Sequence, residues 1–195
     1  VGYNHPFWHV PGEEPNLGAV LEVARLFPVL EYNMGRIARI NAQALRLAAK
    51  LGKGIHAATD THVGEVGRAF TLARGASFKE FFGNIAARKG HLCPADLDLH
   101  RLKEETALRI HRLFEKSDWL YAKETLAMDT GNALLDGIIS QVAREGSGAG
   151  LSRWLLKTAI EALSSSGIPG SLYLRYQNGL ADRVGRLLEG VGSAA

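Results

Sequence analysis

The chain has 195 residues, 46% of them hydrophobic and 22% charged, which fits a globular protein of one domain, or one and a fraction, with a real core. Its net charge of +3 is too diffuse to argue for nucleic acid, and Lys and Arg alternate with Asp and Glu through the C-terminal half as on solvated helix faces. Apolar runs fall far short of the roughly 18–20 residues of a membrane span, no basic-then-apolar leader opens the chain, and the single Cys93 allows no internal disulfide, so the reading is a cytoplasmic, reducing setting with no membrane partner.

Val1-Gly2-Tyr3-Asn4 reads as the end of a strand already under way, closed by His5-Pro6. A first barrel strand lacks a neighbour for one edge, so the chain is expected to be the C-terminal portion of a longer polypeptide. A helix is predicted from Asn16 to Phe27, with Leu17, Val20, Leu21 and Ala24 on one face, Asn16 as N-cap and Pro28 as the stop. Val29 to Asn33 is the second strand. Ile37 to Leu51 is its helix, with Ile40, Ala44, Leu47, Ala48 and Leu51 as the apolar stripe and Gly52 at the end. The third strand is Gly54 to Asp60, and a fourth short one is read at Arg68 to Ala73. Ser77 then opens a helix to about Lys89, with Glu80 at capping-box spacing.

The character changes at Cys93-Pro94. Beyond it only helices are read, at about 97–114, 119–128, 132–144, 151–163 and 180–188. The expected division is therefore a β/α part, 1–92, and a helical C-terminal region, 93–195. Alternating strands and helices point to parallel β/α architecture, in which ligands gather at the C-terminal ends of the strands.

His5, Glu31, Asn33, Asp60 and His62 all fall at such ends. Asp60 and His62, two residues apart on extended backbone, can point into one pocket, and carboxylate with imidazole is a ligand set for zinc, manganese or iron. An Asp-x-His pair is also a common turn, and His5 read alone is a turn histidine held by Pro6. Glu31 on an apolar strand is either outward-facing or salt-bridged, or a partner of a ligand, since an unpaired charge there is costly. Asn33 shares its parity and is expected to hydrogen-bond within the pocket, and His56 shares the parity of Asp60. Arg36, Arg39 and Arg68 follow strand ends, where an arginine fork suits a phosphate; Arg68, Arg36 and Asn33 are the substrate-binding candidates, while Arg39 reads as an exposed helix residue. His9 is kept as a solvent-facing or supporting group, and His91, His100 and His111 as structural.

The ordered set Asn4-His5-Pro6, Val29-Leu30-Glu31-Tyr32-Asn33 and Thr59-Asp60-Thr61-His62, continued by Gly64-Glu65-Val66-Gly67-Arg68-Ala69-Phe70-Thr71, resembles the C-terminal half of the polymerase-and-histidinol-phosphatase (PHP) family of metal-dependent phosphoesterases. The resemblance covers about residues 1–90. It implies the C-terminal part of a distorted, TIM-like parallel β/α barrel with His5, Asp60 and His62 as metal ligands, and Asp60 and His62 as catalytic residues. It also implies divalent metal ions (Mn, Zn or Fe) that activate a water and clamp the phosphoryl oxygens of a small phosphorylated substrate. The family's N-terminal His-x-His and its middle His and Glu ligands are absent from the sequence, so an N-terminal barrel half on the same or another chain is an expected partner. Two further readings are a non-catalytic interaction scaffold and a metal-dependent hydrolase of C–N bonds, since related barrels use similar ligands.

Overall fold

Val29–Asn33, five consecutive buried residues, is the central strand (β2) of a three-stranded parallel sheet with Gly2–Tyr3 (β1) on one side and Gly54–Ala58 (β3) on the other. The computed structural model describes residues 1–7, 16–61, 66–115 and 151–190. Parallel neighbours require a crossover, and two helices supply it, Leu17–Leu26 (α1) and Ala38–Lys50 (α2). Asn16 caps α1 as expected, its side-chain oxygen accepting from the Ala19 N–H at 3.0 Å. Ile40, Ala44, Leu47 and Ala48 of α2 are buried at helical spacing over the sheet. Leu30 meets that stripe in the core, where each buried leucine contributes about 1.5–3 kcal/mol.

After β3 the chain forms Phe70–Leu72 (β4), the helix Phe78–Ala86 (α3) and His91–Cys93 (β5). Thr71 falls inside the predicted fourth strand, but β4 does not extend the parallel sheet. It pairs antiparallel with β5 and joins β3 through a side chain, the Ala57 N–H donating to Thr71 Oγ1 at 2.7 Å. Ser77 caps α3 by accepting from the Glu80 N–H at 3.2 Å, while Glu80 Oε2 accepts from the Ala76 N–H at 2.8 Å. Gly54 lets α3 close on the sheet, because a Cβ there would fall on the Ile85 carbonyl. The fold is thus mixed α/β, and the described residues form no closed barrel.

Two compact units divide the chain, residues 1–98 with 172–195, and residues 99–171. In the second, Leu99–Glu115 (α4) packs with Leu151–Ser166 (α5), and Gly167, at φ 78°, ends α5. The last helix, Ile168–Glu189 (α6), is longer than the predicted 180–188. From Leu172 it belongs to the sheet unit, where Leu180, Ala181, Val184 and Leu188 complete the core around α2. The helical region expected from residue 93 is therefore not one unit. The helices predicted at 119–128 and 132–144 lie outside the described residues. Among the described residues no helix is long and apolar enough to cross a membrane.

Candidate functional site

The C-terminal ends of three adjacent strands bring His5, Glu31, Asn33 and Asp60 together. Glu31 and Asn33 alternate on β2 and share one face, and both are only 2% exposed. His5 follows β1 and Asp60 follows β3, each two residues past its strand, and both hold the left-handed backbone, at φ 51° and 47°. His and Asp tolerate that conformation better than most residues, and here it turns both side chains towards the end of β2.

The Asn33 amide is the hub. Its oxygen accepts from the Gly35 N–H at 2.6 Å, which fixes the nitrogen on the opposite side. That nitrogen lies 2.8 Å from His5 Nδ1, 3.0 Å from Asp60 Oδ2 and 3.1 Å from Glu31 Oε2. Gly35 makes room for this arrangement, since a Cβ there would come within 2.9 Å of Asn33 Oδ1. Glu31 Oε2 also accepts from the His5 backbone N–H at 2.8 Å, so the buried carboxylate holds the turn that carries its partner. His5 Nδ1 stands 3.1 Å from Glu31 Oε2 and 3.7 Å from Asp60 Oδ2. One imidazole nitrogen and two carboxylate oxygens therefore face one another around a neutral amide.

Behind the hub, Asn41 locks the end of β2 to the start of α2. Its Oδ1 accepts from the Asn33 N–H at 3.1 Å, and its Nδ2 donates to the Asn33 carbonyl at 2.9 Å and to Asp96 Oδ1 at 2.7 Å. Asp96 Oδ1 also accepts from the Tyr32 hydroxyl at 2.7 Å; burial first, then this carboxylate, push the Tyr32 phenol far above its ordinary value. Asn41 and Asp96 were not among the residues expected to matter. Asn41 sits beside Ile40 on the buried stripe of α2, and an amide on such a stripe is the mark that identifies it.

His56 pairs with Glu31 across the sheet and shares its face, in keeping with the parity reading. Burial pushes its imidazole below the ordinary value of 6.5, against the smaller opposing pull of the Glu31 carboxylate and the Ala57 backbone. A depressed imidazole makes the neutral form the native one. Its stabilisation is complete above 6.5 and is lost as pH falls through the folded-state value, because the unfolded chain takes up the proton first. Urea midpoints compared at pH about 7.5 and about 5.5 are expected to fall less in His56→Gln than in the parent chain.

His62, the second half of the Asp-x-His pair, and His9 lie outside the described residues. Arg36 closes the turn after β2, its carbonyl accepting from the Leu97 N–H at 2.9 Å, and Arg68 is exposed in the turn before β4. Arg39 is bound to Asn178 and Asp182 of α6, which gives it a structural partner. His100 forms an exposed i, i+4 pair with Glu104 at 3.3 Å.

No three His, Cys, Asp or Glu residues among the described ones are arranged to hold a metal ion; His5, Glu31 and Asp60 converge on the Asn33 amide nitrogen instead. Their donor chemistry nevertheless suits zinc, manganese or iron. No protein-family model, curated protein or solved structure matches this chain.

Proposed function

We propose that the chain is part of a metal-dependent phosphoesterase of the PHP type, in which the parallel sheet belongs to a distorted β/α barrel completed by an N-terminal half on the same or another chain. The observation that carries this reading is the convergence of His5, Glu31 and Asp60 at the C-terminal ends of three adjacent parallel strands, 3.1 and 3.7 Å apart from the imidazole nitrogen. Ligand sites of parallel β/α folds form at that end.

His5 and Asp60, with His62, would hold a divalent manganese, zinc or iron ion. Such an ion supplies Lewis-acid polarisation of a phosphoryl oxygen and a more acidic water. The remaining work falls to side chains of this chain. Glu31 keeps the His5 turn in place, and Asn33 fixes the orientation of both carboxylates. Arg36 and Arg68 follow strand ends and would meet the phosphate of a small substrate, where a guanidinium offers two parallel hydrogen bonds.

Hydrolysis of a chromogenic phosphomonoester, assayed with manganese or zinc and with a PHP-type N-terminal half supplied, tests the reading. Asp60→Ala is expected to lower the rate by at least roughly a hundredfold, the upper range for groups that merely support metal ligands. A metal-independent rate, or one indifferent to Asp60, would contradict it.

A further inference from the structure

We propose that a second site, the cleft between β4, α3 and β5, binds a phosphate-class anion. The cleft, of about 320 Å³, is lined by Leu72, Ala73, Arg74, Asn84, Lys89 and His91. Leu72 pairs with His91 at the end of the antiparallel ladder, with Arg74 two residues beyond the one and Lys89 two residues before the other. Like charges lining one cleft repel, so this arrangement gains from an anion between them. Among the described residues no acidic residue lines the cleft, and Arg74, Lys89 and His91 form no ion pair with a carboxylate. Glu80, the one carboxylate on α3, is turned to the Ala76 N–H.

The backbones of the two cationic residues are tied together through Asn84. Asn84 Nδ2 donates to the Arg74 carbonyl at 2.9 Å, and the Asn84 carbonyl accepts from the Lys89 N–H at 2.8 Å. Arg88, left-handed at φ 61°, turns the chain out of α3 so that Lys89 enters the cleft wall. An arginine, a lysine and a histidine lining one cleft suit a phosphate dianion, and Leu72 with Ala73 offers an apolar wall to an organic remainder. The cleft is separate from the His5–Asp60 cluster. Ile85 of α3 packs on Gly54, the first residue of β3, whereas Asp60 lies beyond its last residue. The anion held here is therefore a second ligand, not the reacting phosphate.

Titration of the chain with inorganic phosphate at constant ionic strength, followed by backbone amide NMR, tests the site. Saturable shifts at residues 72–74, 84 and 89–91 are expected, with their affinity about tenfold weaker in Arg74→Gln and in Lys89→Gln and unchanged in Asp60→Asn. Shifts equal to those given by chloride, affinity untouched by both cleft variants, or loss of the shifts in Asp60→Asn would each overturn the proposal.

Discussion

Replacing Asn33 by leucine is expected to destabilise the chain by roughly 2–3 kcal/mol, the cost of taking one donor from a buried carboxylate that keeps the His5 N–H, together with the acceptor of a backbone N–H. The side chains are close in size, so the change removes polarity with little change of volume. Glu31, 2% exposed, loses the amide donor at 3.1 Å, and the Gly35 N–H loses its acceptor at 2.6 Å. His5 and Asp60 are about one-third exposed, so water replaces part of what they lose, and most of the cost falls on Glu31. Urea unfolding measures it through the shift in midpoint at constant m-value. A loss below about 1 kcal/mol, the worth of an ordinary hydrogen bond, would mean that the amide is not the hub of the cluster.

Leu188→Ala is expected to cost roughly 3–5 kcal/mol, as for fully buried leucines whose cavity does not collapse. Leu188 is 0% exposed and lies in one cluster with Leu47, also 0% exposed, and with Leu180, Ala181 and Val184 of its own helix. Exposed Leu187, its neighbour, is the control, and its alanine variant should stay within about 0.5 kcal/mol. Equal effects at the two positions would show that α6 does not complete the sheet's core.

That packing is where the sequence was least informative. The stripe of α2 and the run Val29–Asn33 between Pro28 and Gly35 are local patterns, and they located both elements within a residue or two. Asn16 and Ser77 announced two helix starts because a cap is a property of three or four neighbouring residues. The partnership of α6 with the sheet joins residues far apart, as in the bond from the Ile37 N–H to Gln177 Oε1, and no local periodicity encodes it. Pro169 and Gly179 are poor helix formers inside a segment that tertiary contacts carry through. β5 escaped notice because His91-Leu92-Cys93 is too short to display an alternation.

In the site, parity along β2 placed Glu31 and Asn33 on one face, and the strand-end rule gathered His5 and Asp60 beside them. The left-handed turns at His5 and Asp60 were not legible, because neither residue is glycine and nothing nearby in sequence demands a positive φ. The central role of Asn33 depends on a hydrogen bond to Gly35 that orients its amide, a detail below the level of any pattern.

The most direct test of the account is the metal content of the purified chain after equilibration with manganese or zinc and dialysis, measured by mass spectrometry. The parent chain and His100→Ala are expected to retain the same metal, and Asp60→Asn and His62→Ala to lose it. A parent chain that retains none, or variants at Asp60 and His62 that retain as much as the parent, would contradict the assignment of this cluster as a metal site.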